Sequence, residues 1–236
     1  MTPILEVDGI HTAYGTSRVL FGISLDMKPG ECVCLLGRNG VGKTTTMRSI
    51  MGLTPPSQGR VRFKGEDITG SPPYRLARRG IGYVPEDRRI FAELTVEENL
   101  EVGRRPPNAN APAWTLEKLF ALFPNLARMR DRPGGQMSGG EQQMLTIART
   151  LMGNPELLLL DEPSEGLAPL VVDHLREQIA RLKREGLTIL LAEQNPEFSL
   201  SLADRVYVLE KGSIRFSGPA ARLREDAALR QELLAL

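Results

Sequence analysis

The strongest indication of the fold of this 236-residue chain is the sequence Gly37-Arg38-Asn39-Gly40-Val41-Gly42-Lys43-Thr44. It matches the pattern G-x-x-x-x-G-K-[ST], and it lies between an apolar run, Glu31 to Leu36, and a stretch with helical spacing, Lys43 to Met51. A glycine-rich loop that leads from a strand into a helix exposes backbone N–H groups that bind phosphate. The pattern therefore predicts a nucleotide-binding loop, in which Lys43 reaches the β- and γ-phosphates and the Thr44 hydroxyl is a ligand of Mg²⁺.

A second apolar run, Leu157 to Leu160, ends in two carboxylates, Asp161 and Glu162. Ligands of α/β sheets bind at the carboxyl ends of the strands. Asp161 is therefore placed to hold Mg²⁺ through water, and Glu162 to polarise an attacking water. Without a phosphate loop the same residues would fit an acidic turn after a buried strand equally well, so the two motifs together predict nucleotide hydrolysis.

A third motif, Ser138-Gly139-Gly140-Glu141, predicts the beginning of a helix. A serine at the N-cap and a glutamate three residues later form a capping box. The two glycines between them bare the N–H groups of the first helical turn, so the same structure is a second anion site. An apolar face of this helix is supplied by Met144, Ile147, Ala148 and Leu151.

Strands that alternate with helices predict an α/β fold with a mainly parallel sheet. Weak alternation from Ile4 to Tyr14 predicts an N-terminal β region, which we expect to be antiparallel, and helical spacing from about Phe91 to Gly153 predicts an inserted helical lobe. Leu229, Leu233 and Leu236 fit one face of a C-terminal helix. We expect one domain, residues 1–236, with a nucleotide-binding core of residues 1–88 and 157–218, a helical lobe of residues 89–156 and a helical tail of residues 219–236.

The composition excludes several classes of protein. Thirty Lys and Arg residues against 29 Asp and Glu residues give a net charge of +1, so no global charge holds the chain on nucleic acid, and we expect no nucleic-acid partner. No apolar run approaches the ~20 residues of a membrane span, and the N-terminus lacks the features of a secretory signal. Cys32 and Cys34, two apart in a predicted strand, are expected on one face as buried apolar groups, which fits a reducing cytoplasm.

The third motif, with Met137 before it and Gln142 after it, resembles the signature motif of ATP-binding cassette (ABC) proteins. The order and spacing of all three motifs match that family across essentially the whole chain. The resemblance implies a P-loop NTPase core that binds ATP and Mg²⁺. It also implies a head-to-tail pair of chains, in which Ser138, Gly139, Gly140 and Glu141 of one chain face the γ-phosphate held by the other.

The resemblance assigns roles to further positions. Tyr14 resembles the aromatic residue that stacks on adenine in this family. The family's glutamine loop corresponds to Tyr83-Val84-Pro85-Glu86, and the loop after its catalytic glutamate corresponds to Ser164-Glu165-Gly166-Leu167. The implied catalytic residues are Glu162, Lys43 and Gln194, and the implied metal ligands are Thr44, Glu86 and Asp161. The implied ATP contacts are Tyr14, Gly37, Arg38, Asn39, Gly40, Val41, Gly42, Lys43, Thr44 and Thr45.

Two positions depart from the common family pattern. Glu86 replaces the loop glutamine, and Gln194 replaces the switch histidine. With Arg88-Arg89-Ile90-Phe91, these departures resemble the second ATPase subunit of branched-chain amino-acid importers. That resemblance implies a second ATPase subunit (identical or different), two membrane permeases, an indirect periplasmic solute-binding protein, and a peripheral position on the cytoplasmic face of the cell membrane.

Other functions stay open at this point. Importers of urea and short amides share much of the sequence, and lipopolysaccharide-type exporters have ATPases of similar short architecture. Glu86 and Gln194 argue against an exporter. A soluble cassette protein of translation or DNA repair would usually carry two cassettes or a long coiled insert. A metabolic kinase would need an acceptor site and would not need Ser138-Gly139-Gly140.

Overall fold

The structure, a computed structural model, describes residues 2–107 and 113–234. Within these residues ten strands form two sheets. The strands are β1 (Leu5–Tyr14), β2 (Ser17–Met27), β3 (Cys32–Leu36), β4 (Gln58–Phe63), β5 (Glu66–Asp67), β6 (Ile81–Val84), β7 (Leu157–Asp161), β8 (Thr188–Glu193), β9 (Arg205–Glu210) and β10 (Ser213–Pro219). One sheet is antiparallel, in the order β2-β1-β4-β5, and the other has the order β10-β9-β3-β8-β7-β6.

The same part of the chain forms helices on both faces of the larger sheet. The helices are α1 (Lys43–Ile50), α2 (Pro73–Arg78), α3 (Val96–Gly103), α4 (Leu116–Leu122), α5 (Pro124–Arg128), α6 (Gly139–Leu151), α7 (Pro169–Arg184), α8 (Pro196–Leu202), α9 (Ala220–Glu225) and α10 (Ala227–Leu234). A short 3₁₀ turn, Gly134–Gln136, precedes α6. None of the helices in the described ranges is both long enough and apolar enough to span a bilayer.

The larger sheet is mainly parallel, as predicted. Strands β3, β6, β7, β8 and β9 run parallel, and only β10 pairs antiparallel with its neighbour β9. Alternate side chains of β3 enter different cores: Cys32 and Cys34 face one side of the sheet, and Val33 and Leu35 face the other. The two cysteines are fully buried, and burial raises the pKa of the Cys32 thiol to about 12. The expectation that they share one apolar face is confirmed.

Helix α1 lies between the two sheets. Met47 and Ile50 of α1 pack in one core with Leu5 of β1, Val61 of β4 and Leu190 of β8. This burial on both sides fixes the axis of α1, and with it the position of the loop that leads into its N-terminus.

The second core lies under helices α3 to α6. Helix α3 begins with a capping box, in which Thr95 accepts from the Glu98 N–H and Glu98 accepts from the Thr95 N–H. Gly103 lies so close to α6 that a Cβ atom there would be 2.3 Å from the Arg149 carbonyl oxygen. Only glycine permits this approach of α3 to α6, which carries the third sequence motif.

Near the C-terminus, Leu229 and Leu233 of α10 pack partly buried against the second core. Residues 108–112 of the predicted helical lobe and Leu236 of the predicted tail lie outside the described residues. The division of the chain into core, lobe and tail stays a prediction.

The structure contains two long strands that the sequence pattern did not indicate, β2 and β10. Pairing between β1 and β2 has three register shifts, and Gly22 in β2 adopts a left-handed φ of +78°. In β2 the buried residues Leu20 and Ile23 lie three apart, so regular alternation holds only from Ile23 to Met27, which is too short to mark the whole strand in the sequence. β10 contains Gly218 and Pro219, which are depleted in strands, and it forms an edge of its sheet.

Candidate nucleotide-binding and hydrolysis site

Three strands of the larger sheet end at the same edge and carry the predicted site residues. Leu36 of β3 is paired with Glu193 of β8, and Asp161 of β7 is paired with Ala192 of β8. The loop after β3, the carboxylates at the end of β7 and Gln194 after β8 therefore converge. This convergence follows from the parallel register and matches the place where α/β sheets bind ligands.

The loop between β3 and α1 is built to bind an anion. Within the described chain, no backbone N–H of residues 39–42 donates to a protein acceptor. Gly40 and Gly42 have φ values of +79° and +110°, and a Cβ at Gly42 would be 2.7 Å from a methyl group of Leu20. At Gly40 no protein atom lies within 4 Å, so its left-handed backbone is what requires glycine. Free N–H groups next to a helix N-terminus attract phosphate.

Lys43, the first residue of α1, is buried with its ammonium group turned onto the loop. Its Nζ donates to the carbonyl oxygens of Gly37 at 2.7 Å and Arg38 at 2.8 Å. The same Nζ forms an ion pair with Glu162 Oε1 at 3.1 Å, and only 2% of the Lys43 side chain and 8% of the Glu162 side chain are exposed. In this state the two predicted catalytic charges neutralise each other.

Glu162 is held in an unusual backbone conformation. Its φ of +46° is left-handed, which is uncommon for a residue other than glycine, and its N–H donates to the Ala192 carbonyl at 2.9 Å. The side chain also faces Glu165, and hydrogen bonding between these two carboxyl groups raises the pKa of Glu165 to about 7. The carboxyl group of Glu162 is thus both confined and surrounded by acidic groups.

Asp161 is fully buried and accepts two hydrogen bonds. Thr44 Oγ1 donates to Asp161 Oδ1 at 2.9 Å, and the Tyr83 hydroxyl donates to Oδ2 at 2.9 Å. Burial raises the pKa of Asp161 to about 6, against the lowering effect of these two hydrogen bonds. Within the described residues no group of three or more His, Cys, Asp or Glu side chains could hold a metal ion. A hydroxyl and one carboxylate instead fit Mg²⁺, which is bound through few protein oxygens together with phosphates.

The structure places three further predicted residues around this centre. Glu86 follows β6, is exposed, and its charge is one of the smaller causes of the raised pKa of Asp161. Gln194 is exposed at the end of β8. Tyr14 ends β1 with 45% of its side chain exposed, so its ring is accessible to a ligand. Contact of these three side chains with ATP or metal stays a prediction.

Glu193 joins two loops of the site. This carboxylate is 2% exposed, and its Oε1 accepts from the Ser164 N–H at 3.1 Å. Its Oε2 accepts from the N–H groups of Gln194 at 3.1 Å and Asn195 at 3.3 Å. Burial raises the pKa of Glu193, while these hydrogen bonds oppose the rise. The loop after the catalytic glutamate and the loop that carries Gln194 are therefore tied to one side chain.

The predicted capping box at α6 is present. Ser138 Oγ accepts from the Glu141 N–H, and Glu141 Oε2 accepts from the Ser138 N–H at 2.8 Å. A Cβ at Gly139 would be 2.5 Å from Arg88 Nη1, and one at Gly140 would be 2.6 Å from a Val171 methyl group. Packing against Val171 therefore restricts position 140, whereas at position 139 the flexible Arg88 side chain can move aside.

The α6 N-terminus lies apart from the chain's own phosphate loop in its contacts. Within the described chain, no hydrogen bond or ion pair joins residues 138–141 to Gly37 or to residues 39–45. The structure therefore brings the phosphate loop, Asp161 and Glu162 together and leaves the third motif outside this centre.

The family model of ABC transporters matches residues 20–165, which include the phosphate loop, the α6 N-terminus and the β7 carboxylates. The chain belongs to the ABC transporter family. BraG of Pseudomonas aeruginosa, a high-affinity branched-chain amino acid transport ATP-binding protein, is 43% identical over 231 residues, which cover 98% of this chain and 99% of BraG. LptB of Haemophilus influenzae, a lipopolysaccharide export system ATP-binding protein, is 35% identical over 98% of this chain and 97% of LptB.

Solved structures of ABC transporter ATPases have the same fold. The crystal structure of the ADP conformation of one ATP-binding cassette superposes with a TM-score of 0.83 at 29% identity, over 99% of this chain and 97% of that one. As an ABC transporter ATPase, the chain hydrolyses ATP in support of transport across a membrane, and members of the family bind ATP and ADP. Another solved ATP-binding cassette, a dimer in a post-hydrolysis state bound to ADP and Pi, has the same fold, with a TM-score of 0.78 at 22% identity over 92% of this chain and 98% of that one.

The sequence motifs did not predict the roles of two residues at this site, Tyr83 and Glu193. Tyr83 lies in the predicted glutamine loop, but its hydrogen bond to Asp161 depends on the pairing of β6 with β7. Glu193 directly precedes Gln194, and an acidic residue at the end of an apolar strand was the available signal. The same signal, an acidic residue at the end of an apolar strand, predicts the role of Asp161 on β7.

Proposed function

We propose that this chain is the ATP-hydrolysing subunit of an importer of branched-chain amino acids. The observation that carries the proposal is the 43% identity with BraG over almost the full length of both chains. Glu86 and Gln194, the two departures from the common family pattern, support it independently. The subunit would lie on the cytoplasmic face of the cell membrane, bound to two permeases, with a periplasmic solute-binding protein acting through them.

Lys43 links the binding of ATP to the release of Glu162, the general base of the proposed reaction. The free N–H groups of residues 39–42 and the Lys43 ammonium hold the β- and γ-phosphates. To reach the phosphates, Lys43 leaves Glu162 Oε1, now 3.1 Å away. Glu162 is then an unpaired carboxylate that accepts a proton from the attacking water, while the bond between the γ-phosphorus and the β–γ bridging oxygen breaks.

Thr44 and Asp161 would hold Mg²⁺, since their oxygens already lie 2.9 Å apart at the loop. When bound, the cation neutralises charge on the β- and γ-phosphate oxygens. Glu86 offers a further carboxylate oxygen nearby. Gln194 offers an amide donor to the γ-phosphate and, unlike histidine, does not titrate.

Ser138, Gly139, Gly140 and Glu141 would act on the ATP of a partner ATPase subunit. The hydrogen bonds between Ser138 and Glu141 stay within the capping box, which supports this composite arrangement. ATP then bridges the Lys43 side of one chain and the α6 N-terminus of the other, and hydrolysis removes the bridge.

A groove next to the site supports permease docking. A cavity of about 410 Å³ lies between α2, the end of β6 and the α3–α6 pair, and the segment after Glu86 forms part of its wall. Its lining includes the exposed apolar side chains of Leu53, Phe91 and Val102, which are 39%, 47% and 58% exposed. An apolar concave surface beside the hydrolysis site would let a permease helix sense closure of the ATPase dimer.

A lipopolysaccharide-type exporter is the second candidate, and the 35% identity with LptB over 98% of the chain supports it. An importer of urea or amides is a variant of the first candidate, the branched-chain amino-acid importer. The partners distinguish importers from the exporter, because import requires permeases and a periplasmic solute-binding protein. Uptake of labelled leucine by cells that carry or lack this subunit, with labelled urea as the competing substrate, distinguishes the importers.

The Glu162→Gln variant tests the hydrolysis step. Without a carboxylate to accept the proton, we expect ATP binding to persist and turnover to fall at least ~10²-fold. Leucine uptake in cells should fall in parallel, whereas the exporter reading predicts normal uptake and defective surface lipopolysaccharide. Near-normal turnover of the variant would show that another residue positions the water.

A further inference from the structure

The Asp161 carboxylate is held from two directions by two different hydroxyl groups. Thr44 Oγ1 binds Oδ1 and the Tyr83 hydroxyl binds Oδ2, both at 2.9 Å. Thr44 belongs to the phosphate loop, whereas Tyr83 lies on β6 at the start of the predicted glutamine loop, in which the resemblance assigns a role to Glu86 and none to Tyr83. We propose that Tyr83 is the positioning residue of the magnesium site: it fixes Asp161 Oδ2 so that Oδ1 faces the cation.

The sheet register determines this contact. β6 and β7 are parallel, and Tyr83 is paired with Leu159. Asp161 lies two residues beyond Leu159, so Tyr83 and Asp161 emerge on the same face of the sheet. The Tyr83 ring packs against the core between the sheets, and the hydroxyl extends along the sheet to the carboxylate. A phenylalanine would fill the same space and lose only the donor.

Both hydrogen bonds can persist when the site is loaded. The Thr44 hydroxyl is itself a predicted ligand of Mg²⁺, but a hydroxyl that binds a cation through an oxygen lone pair still donates its proton, here to Asp161 Oδ1. Tyr83 is not a predicted ligand, and its bond to Oδ2 depends on the pairing of β6 with β7. Tyr83 is therefore the anchor of the carboxylate that lies outside the set of predicted metal ligands. Groups that orient a metal ligand in this way typically contribute 10- to 100-fold in metal affinity.

The chain offers a matched control in Tyr207. Its hydroxyl likewise lies by a carboxylate, 3.1 Å from Asp26 Oδ1, and also 2.7 Å from Arg205 Nη2. Tyr207 and Asp26 lie on β9 and β2, where none of the predicted site residues occurs. Tyr207→Phe removes a hydroxyl from a buried tyrosine, likewise hydrogen-bonded to a carboxylate, without touching the magnesium site.

ATP binding is measured by calorimetry, first in EDTA and then across a Mg²⁺ titration. In a second measurement, electron paramagnetic resonance detects the binding of Mn²⁺ to the ATP complex. For Tyr83→Phe we expect ATP affinity in EDTA within about 2-fold of wild type and a Mg²⁺ half-saturation at least ~10-fold higher, with a matching loss of Mn²⁺ affinity. Tyr207→Phe should behave as wild type in both measurements. Unchanged Mg²⁺ and Mn²⁺ affinity in Tyr83→Phe would overturn the inference, as would an equal loss in Tyr207→Phe.

This inference rests on the proposed assignment of Asp161 to Mg²⁺, and Asp161→Asn separates the two. If Asp161→Asn loses the Mg²⁺ response and Tyr83→Phe keeps it, only the role of Tyr83 is wrong. If Asp161→Asn itself keeps the wild-type response, the metal assignment fails. In the Asp161→Asn background, adding Tyr83→Phe should produce no further change, because Tyr83 acts through Asp161.

Discussion

At the scale of single residues, the central feature of the site is the buried pair of Lys43 and Glu162. Each group has another role in the proposed reaction, and here each is the other's ion-pair partner. A buried charge without a partner is strongly destabilising. The pair therefore permits a predicted catalytic base and a predicted phosphate-binding cation to be buried in the same place.

Lys43→Ala should affect both ATP affinity and folding. We expect ATP binding to be lost at useful concentrations, and the free energy of unfolding to fall by about 3–5 kcal/mol because Glu162 is left buried and unpaired. The double variant Lys43→Ala/Glu162→Gln should regain much of that stability without regaining ATP affinity. Urea unfolding and calorimetry measure the two effects.

Arg79→Ala is the control for this comparison. It breaks an exposed ion pair, with Arg79 45% and Glu66 71% exposed, and should change stability by less than ~1 kcal/mol. Near-unchanged ATP affinity in Lys43→Ala would contradict the phosphate-loop assignment. A double variant no more stable than Lys43→Ala would contradict the neutralising role of the pair.

Gln194 should act as a fixed donor that does not titrate. It is exposed at the end of β8, and its backbone N–H is held by Glu193 Oε2 at 3.1 Å. Gln194→Ala should slow hydrolysis at least ~10-fold, as loss of one donor to the γ-phosphate would. Gln194→His should stay active and add a limb to the pH–rate profile between pH ~6 and ~7, where imidazole titrates.

The profiles are measured with the natural partner present and the partner's own site inactivated. Wild-type hydrolysis by Gln194→Ala would mean that residue 194 does not contact the γ-phosphate. A pH profile of Gln194→His identical to that of wild type would mean that its side chain is not close to the reacting groups.

Single residues could be predicted from sequence where the motif itself fixes the local structure. The Ser138–Glu141 capping box was predictable because both partners lie within one helical turn. The Lys43–Glu162 ion pair and the Tyr83–Asp161 hydrogen bond were not, because each joins residues far apart in the chain through strand pairing. A motif identifies a residue's chemistry, whereas its partner before ligand binding is a property of the fold.

At the scale of elements, Asp26 and Arg205 connect the two sheets. Asp26 lies on β2 and Arg205 on β9, and Arg205 Nη2 lies 3.0 Å from Asp26 Oδ1. The hydrogen bond from Arg205 lowers the pKa of Asp26 below its ordinary value. A carboxylate whose folded-state pKa is lowered contributes stability above its unfolded-state pKa and loses it as the pH falls through the folded-state value.

Asp26→Asn should therefore destabilise the chain at neutral pH and become harmless in acid. Because 45% of the Asp26 side chain is exposed, solvent screens the pair, and we expect a loss of about 0.5–1 kcal/mol at pH 7. The difference between variant and wild type should shrink as the pH falls below ~4, near the unfolded-state pKa. Denaturant melts from pH 3 to 7 measure it; a constant difference across that range would exclude titration of Asp26 as its source.

The sequence predicted a strand or helix more accurately where its hydrophobic pattern is regular. The buried strands β3 and β7 are continuous apolar runs, and the sequence located each within one residue. β2 was missed because its bulges with β1 interrupt the alternation. Helix α8 had an unused signal: Asn195 accepts from the Phe198 N–H as its N-cap, and Pro196 occupies the first turn.

At the scale of the whole molecule, the phosphate loop and the α6 N-terminus are two separate candidate anion-binding sites. Within the described residues no hydrogen bond or ion pair joins residues 138–141 to Gly37 or to residues 39–45. Family recognition from sequence succeeded because all three motifs occur in the family order, but in the proposed composite arrangement no single chain contains a complete site. That arrangement must therefore be tested with two chains.

Complementation between two inactive variants tests this arrangement. Lys43→Ala removes a chain's own phosphate-loop cation, and Ser138→Arg blocks the end that faces the partner's ATP. In a Glu162→Gln background, which retains ATP, neither variant alone should form an ATP-dependent dimer. An equimolar mixture should, because one site then combines Lys43 of the Ser138→Arg chain with Ser138 of the Lys43→Ala chain.

Sedimentation with and without ATP measures the dimers, and calorimetry should find monomer ATP affinity intact in Ser138→Arg. Thr95→Arg, which removes the N-cap of the other capping box, on α3, controls for loss of a helix cap. If the chain pairs only with a different ATPase subunit, Ser138→Arg here should disable hydrolysis at the partner's phosphate loop and spare the site built on Lys43. A mixture that stays monomeric while the parent Glu162→Gln chain dimerises would contradict the composite site, since head-to-tail geometry requires one intact site in every mixed pair.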